Sequence, residues 1–270
     1  MPVKSWAVEA LVFLVGLALG SFLNVVITRL PRGEGFLRGR SRCPLCRTPL
    51  PWPDNLPLVS YLFLKGRCRF CGSAISMRYP AVELASGMLA LALWQRFPLP
   101  LFLVYGPFCA VLVVLSAIDL EHRLLPDVIT LPGIALGLLL ALIFPHLTFL
   151  RAVAGAAVGG AVFYGIIWAY QKLAARRGLT GEAAQGMGGG DVKLLAFIGA
   201  FLGVEALPLV IFVSAALGSL AGLLLVLKRG QGQGGRWRFT AIPYGPFLAA
   251  AALIYLFAGR ELLRLVGGGN

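Results

Sequence analysis

Two carboxylates and four thiols carry the chemistry that this chain can offer. Asp191 stands in Gly186-Met187-Gly188-Gly189-Gly190-Asp191-Val192-Lys193, where four of the first five residues are Gly. Glycine admits positive φ and the close approach of a second backbone. An apolar run with one interruption then extends over residues 194–227, so the Asp opens a hydrophobic helix where water gives way to lipid. An ionisable group at that depth marks a functional site by default, and simple capping of a helix is the competing explanation. Asp119, within Ile118-Asp119-Leu120-Glu121-His122-Arg123-Leu124-Leu125-Pro126-Asp127, closes another apolar run at the same membrane level. Two carboxylates at one depth can share a proton, one acting as base on a water while the other donates to a scissile carbonyl. Taken alone, Asp119 is equally well explained as a helix-end carboxylate paired with Arg123.

Asp127 competes for the partner role. It follows Pro126 and opens an apolar run, the place of an N-terminal carboxylate stabilised by backbone N–H groups and the helix dipole, so capping accounts for it. The dipole disfavours negative charge at the tail of a helix and favours it at the head. Asp119 therefore suits the proton donor and Asp191 the base. The two histidines, His122 and His146, form no H-E-x-x-H pattern, which sets aside that metalloprotease motif.

Cys43-Pro44-Leu45-Cys46 and Cys68-Arg69-Phe70-Cys71 are two C-x₂-C knuckles separated by 21 residues. Paired knuckles make a tetrahedral Cys₄ zinc site. Two disulfides are the alternative, disfavoured if this segment faces a reducing cytoplasm. Four thiolates leave no open coordination position, so the Zn²⁺ is expected to be structural. Cys109, alone in an apolar run, is a packing residue.

The elements that must position these groups are membrane helices. The 270 residues are 59% hydrophobic and 13% charged, with mean hydropathy +0.85, against about 25% charged in soluble domains. A net charge of +13 invites a nucleic-acid reading. The basic residues instead sit in loops between apolar runs, which is an orientation signal, and no nucleic-acid partner is expected. Apolar runs cover residues 6–28, 81–94, 99–118, 128–144, 152–170, 194–227 and 242–258. A single helix over 194–227 would be about 51 Å long, against a ~30 Å hydrocarbon core. The interruption at Gly203-Val204-Glu205-Ala206-Leu207-Pro208 therefore predicts two short spans with a turn at Glu205. The expected fold is an all-α polytopic membrane protein of about eight transmembrane helices, with a small cytoplasmic Cys₄ zinc-binding domain between helices 1 and 2. Its parts are residues 1–28 as the first helix, 29–79 as the zinc-binding domain and 80–270 as the membrane-embedded core. The first apolar run is long enough to span and is read as a helix, not a cleaved signal.

Gly16, Gly20 and Ser21 suit close helix packing in lipid, while Glu9 and Asn24 suit snorkelling or helix-to-helix bonding. The polar segment 29–78 has little room for a core of its own and needs a staple. With that segment inside, all but five of the 24 Lys and Arg (Lys4, Arg96, Arg151, Arg260 and Arg264) fall on the cytoplasmic side, and both termini outside. Residues 231–235 read as a flexible linker, and no tandem repeat is evident.

These motifs, taken in order with Gly20-Ser21-Phe22-Leu23-Asn24-Val25-Val26, Pro57-Leu58-Val59-Ser60-Tyr61, Arg78-Tyr79-Pro80-Ala81-Val82-Glu83 and Ile242-Pro243-Tyr244-Gly245-Pro246, resemble the type IV prepilin peptidases along nearly the whole chain. Gly-x-Gly-Asp is also similar to the motif of presenilin-type intramembrane aspartic proteases. The resemblance implies an aspartic endopeptidase of the bacterial inner membrane, with its active site at the cytoplasmic face. Its catalytic pair falls on Asp119 and Asp191 and its cysteine motif on Cys43, Cys46, Cys68 and Cys71. It implies cleavage of the basic leader from type IV prepilins and type II secretion pseudopilins, and N-methylation of the new terminus with S-adenosylmethionine as methyl donor. No Gly-rich strand–helix motif marks a site for that donor. The Lys/Arg excess is assigned to orientation and anionic lipid, and Glu34, Asp54, Glu83 or Glu121 to the leader. A transporter relaying ions through its carboxylates, or a methyltransferase with structural aspartates, are the alternatives. The first gives the Cys₄ segment no role.

Overall fold

The computed structural model describes residues 5–35, 41–144, 147–176, 188–229 and 243–266. Gly186 and Met187, His146, the 231–235 linker, Arg236, Arg238 and Ile242 lie outside the described residues. The described chain is helical, apart from turns and the isolated antiparallel bridges Arg42–Pro49 and Arg67–Ala74. It divides into two compact units, Met1–His122 and Arg123–Asn270.

The first unit holds α1 (Trp6–Arg29), the one-turn α2 (Val59–Phe63), α3 (Arg78–Arg96) and α4 (Leu99–His122). Helices α1, α3 and α4 pack pairwise. The α1–α3 contact is made by small residues. A Cβ on Gly20 would lie 2.7 Å from the Glu83 Cα, and one on Gly16 would lie 2.7 Å from the Ala90 Cβ. Lipid tails are as apolar as leucine, so helices in a membrane associate through such close packing and not by withdrawing apolar surface from water. Gly16 and Gly20 thus serve as their sequence context suggests. Asn24 bonds across the same contact, donating from Nδ2 to the Tyr79 carbonyl at 3.0 Å.

The second unit holds α5 (Asp127–Ile143), α6 (Phe149–Arg176), α7 (Gly189–Leu202), α8 (Leu207–Arg229) and α9 (Gly245–Val266). Helix α7 touches all four others. Every residue of α7 from Leu194 to Leu202 is buried, as expected of a helix that is hydrophobic all round. Its enclosure depends on glycine. A Cβ on Gly155 of α6 would lie 2.2 Å from the Gly199 carbonyl oxygen, and one on Gly199 would lie 2.2 Å from that of Gly155. Gly133 and Gly137 of α5 make room for the rings of Phe197 and Phe201. The apolar run breaks where the sequence indicates: α7 stops at Leu202, Gly203 takes φ +83°, and α8 begins at Leu207. Only glycine adopts that φ with ψ 171° readily.

Each of the eight apolar segments is helical, and residues Trp6–Arg32, Leu99–His122, Phe149–Arg176 and Val204–Leu227 are long and apolar enough to cross a membrane. Residues Asp127–Ile143 and Gly245–Gly259 are shorter apolar helices. With 14 residues, α7 is about 21 Å long, short of a ~30 Å hydrocarbon core. Exposed large apolar side chains, among them Leu11, Leu14, Leu139, Leu142 and Leu223, fit a lipid-facing surface.

The Gly155–Gly199 contact yields a prediction. Gly155→Leu forces α6 and α7 apart and is expected to destabilise the second unit by about 3 kcal/mol. Gly165→Leu on the same helix, where an added Cβ meets nothing within 4 Å, should leave stability near wild type. Thermal unfolding of the purified protein in detergent checks both, and equal midpoints for the two variants would refute the packing argument.

Candidate functional site

Asp191 is the third residue of α7, after the extended N-cap Gly188 at φ −73° and ψ 143°. Its N–H donates to the Gly188 carbonyl at 3.1 Å, and the residue is 8% exposed. A carboxylate in the first helical turn meets the positive end of the dipole and backbone N–H groups. A charge so placed is tolerable in a site that excludes most water. The segment just before α5 fixes this turn from the side. Gly190 lies so close to Leu125 that a Cβ on it would sit 2.9 Å from the Leu125 Cβ. Lys193 Nζ donates to Asp127 Oδ1 at 2.5 Å. Tyr244, whose hydroxyl lies 2.8 Å from Ser214 Oγ, is within electrostatic reach of Asp191.

Asp119 belongs to the first unit. It lies three residues before the end of α4 and is 5% exposed. The residues that follow it are tied within that unit: Arg78 of α3 donates to the Glu121 carboxylate from one terminal nitrogen and to Thr28 Oγ1, at 2.8 Å, from the other. Among the described residues the buried acids are Asp54, Glu83, Asp119 and Asp191. Asp127, which capping explains from sequence, has a different use. It is the first residue of α5, and its carboxylate takes the Lys193 ammonium across the unit. The reason is reach: a flexible lysine two residues past Asp191 extends to a carboxylate already at a helix head.

The four acids assigned to a leader peptide fare unequally. Asp54 pairs with Arg69 at 2.6 Å, Glu121 with Arg78, and Glu83 Oε2 accepts from the Leu58 N–H at 2.8 Å. Glu34 is exposed.

The structure brings the four cysteines of the knuckles together, with all four Sγ atoms within 4.8 Å of one another. Cys43 and Cys68 are buried, Cys46 and Cys71 exposed, and all five cysteines are free thiols. The knuckles are local copies. The Arg47 N–H bonds the Cys43 carbonyl at 2.9 Å as the Gly72 N–H bonds that of Cys68 at 2.9 Å. Arg47 and Gly72 both take positive φ, 57° and 68°, the turn that points both thiols of each knuckle inward. Cys43 Sγ and Cys71 Sγ are 3.8 Å apart, and a tetrahedron with Zn–S bonds near 2.3 Å has an edge of about 3.8 Å. Burial opposes a Cys43 thiolate. The N–H groups of Cys46 and Leu45, the Cys46 thiol and the Ser73 hydroxyl outweigh it and lower the thiol from 9.0 to about 6. The Ser73 hydroxyl and N–H likewise lower Cys71. At Cys68 the N–H groups of Cys71 and Phe70 lower the thiol, but burial and the neighbouring thiols carry it upward. This donor set fits a structural zinc, which would be held by Cys43, Cys46, Cys68 and Cys71.

Residues 14–97 match the bacterial peptidase A24 N-terminal domain, and residues 107–223 match the type IV leader peptidase family. The chain belongs to the type IV leader peptidase family. A prepilin leader peptidase/N-methyltransferase of Aeromonas salmonicida is 39% identical over 96% of this chain and 94% of its own length. Proteins of the same name from Burkholderia pseudomallei and Pseudomonas putida are 37% and 36% identical, covering 96% and 92% of this chain and 88% and 90% of their own lengths. No solved structure matches. The first match ends just after α3 and the second begins inside α4, and Asp119 and Asp191 both fall in the second.

Sequence reasoning missed the Lys193–Asp127 pair, the Arg78–Glu121–Thr28 hub and the place of Tyr244. The one available signal was that Lys193, Arg78, Glu121 and Tyr244 all lie inside the motifs that carry the family resemblance. For the thiol cluster the expectation is definite. Cys43→Ser should lose most of the bound zinc and lower the thermal midpoint, since metal binding at such a site contributes folding free energy directly. Metal analysis of the purified protein checks it, and full zinc retention would refute the assignment.

Proposed function

We propose that this chain is a membrane aspartic endopeptidase that removes the basic leader from type IV prepilins and type II secretion pseudopilins, then N-methylates the new terminus. The observation that carries the reading is a buried carboxylate at a helix end in each of two motifs, in a chain matched almost end to end by relatives named for both activities. Asp191, at the head of α7, acts as base on the attacking water. Asp119, at the tail of α4, where the dipole disfavours charge, donates the proton to the scissile carbonyl. The ion pair that Asp127 makes with Lys193 supports the choice of Asp119, because it gives Asp127 a structural task. S-adenosylmethionine, when bound, supplies an electrophilic methyl group for the amine released by cleavage.

The remaining parts of the reading follow from the same residues. Residues 1–28, 29–79 and 80–270 form the first helix, the zinc-binding domain and the peptidase core, with about eight transmembrane helices in all. The excess of Lys and Arg in the 29–78 segment and its companion loops places that face in the cytoplasm of a bacterial inner membrane. Zinc holds the small domain together and takes no part in hydrolysis, because four thiolates complete its coordination. Prepilin precursors and membrane lipid are the partners.

Cleavage of one pilin precursor by purified variants tests the pair. Asp119→Asn and Asp191→Asn should each lower the rate by at least about 100-fold while the protein stays folded. Asp127→Asn should keep most activity, because its ion pair is exposed and worth little. An active Asp119→Asn beside a dead Asp127→Asn would reverse the assignment.

A further inference from the structure

The first unit holds a half-open cavity of about 390 Å³, bounded at one side by Cys43, Cys68 and Ser73 of the knuckles and within the range of small-molecule sites, ~300–1,000 Å³. We propose that it is the binding site of the methyl donor, S-adenosylmethionine, held by Asn24 of α1 with Arg78 and Glu83 of α3. The inference rests on the methyltransferase half of the proposed function and supplies the site that the sequence motifs leave unmarked.

Two polar atoms among the residues that line the cavity are buried without a hydrogen-bond partner: Asn24 Oδ1 and Arg78 Nε. Buried polar groups in folded proteins are satisfied as a rule, so each exception points to a missing partner. Asn24 is 2% exposed, and its Nδ2 is committed to the Tyr79 carbonyl, which leaves the oxygen to accept from something else. The terminal nitrogens of Arg78 are committed to Glu121 and Thr28, which leaves Nε to donate. An occupant must therefore bring a donor and an acceptor together. The ammonium of a leader lysine brings donors only. S-adenosylmethionine brings a carboxylate for Arg78 and amino or hydroxyl donors for Asn24.

A cationic centre of the donor has a partner as well. Glu83 lines the cavity, 8% exposed, with Oε2 held by the Leu58 N–H and the carboxylate also bonded by Ser21. The other acids of the lining, Asp54 and Glu121, are already paired with Arg69 and Arg78. Tyr61 adds an aromatic face to the lining, a surface on which an adenine can stack, while the Tyr79 ring carries the Arg78 guanidinium 4.7 Å over its face. The cavity also reaches Glu121 and His122, two and three residues past Asp119 on α4. A donor bound there lies just beyond the residue assigned to cleavage on the same helix, where the new amine is released.

The test uses the full zinc-loaded chain in detergent. Radiolabelled S-adenosylmethionine is photo-crosslinked and the adducts are mapped by mass spectrometry. Affinity is measured by calorimetry for S-adenosylmethionine and for its neutral product, S-adenosylhomocysteine. Crosslinks are expected within residues 21–29 and 76–83. Asn24→Leu should weaken both ligands about tenfold or more. Glu83→Gln keeps an acceptor for Leu58 and should weaken the cationic donor more than the neutral product. Lys172→Gln, on an exposed residue outside the cavity, should bind as wild type. Crosslinks elsewhere, wild-type affinity in both cavity variants, or displacement of the donor by a free leader peptide would overturn the proposal. So would absence of binding to protein that still cleaves precursor, which leaves the peptidase reading standing. A preparation that binds donor in the cavity but never cleaves would sink that reading and support this site. The crosslink map on wild-type protein decides the matter even if a variant fails to fold.

Discussion

The second unit depends on keeping a carboxylate out of water at the head of a helix that is apolar on every side. Asp191 is tolerable there because the first turn of α7 offers unpaired N–H groups and the positive end of the dipole, and because α7 is enclosed. Enclosure in lipid has no hydrophobic driving force, so it rests on contact. The glycines of α5 and α6 supply that contact, letting backbone meet backbone at Gly155 and Gly199 and letting Phe197 and Phe201 fill the notches at Gly133 and Gly137. The Gly190–Leu125 contact then holds the turn that bears the Asp, with the exposed Lys193–Asp127 pair beside it.

The first unit solves a different problem. About 50 residues rich in Arg, Pro and Gly cannot bury enough apolar surface to fold alone. The two knuckles draw four thiols to one point, and polar side chains carry that order down to the helices. Glu83 holds the strained Leu58, at φ 59°, by its N–H. Arg78 joins α3 to the ends of α1 and α4 through Thr28 and Glu121. Asp54, buried, takes a bidentate Arg69. Asp54 and Glu121 are thus structural counter-ions to the region's own arginines, which helps so basic a segment to be compact. These pairs also commit two of the four acids that a basic leader might have met.

Much of this was legible in the chain itself. The apolar runs placed every helix but the one-turn α2, and the break at Gly203 was required by length, since 34 residues overshoot a bilayer. The paired C-x₂-C spacing announced the thiol cluster, because a four-residue knuckle can only turn its thiols to one side. Asp119 and Asp191 stood out because carboxylates at the ends of apolar runs are costly and persist for a reason.

Other features came only with the tertiary structure, for one physical reason: they depend on which residues far apart in sequence lie within 3 Å. Asp127 reads as a cap because its local neighbours are Pro126 and a helix head; only the fold brings Lys193, 66 residues away, to its carboxylate. Asn24 reads as a helix-bonding amide, and it is one, but only packing against Tyr79 leaves its oxygen facing no donor. The same holds for Arg78, whose partners lie 43 and 50 residues distant. Periodicity and spacing report what a segment must do by itself, to span, turn or bind a metal. Whether a polar atom is satisfied or left wanting is a property of its surroundings in space, and no local pattern encodes it.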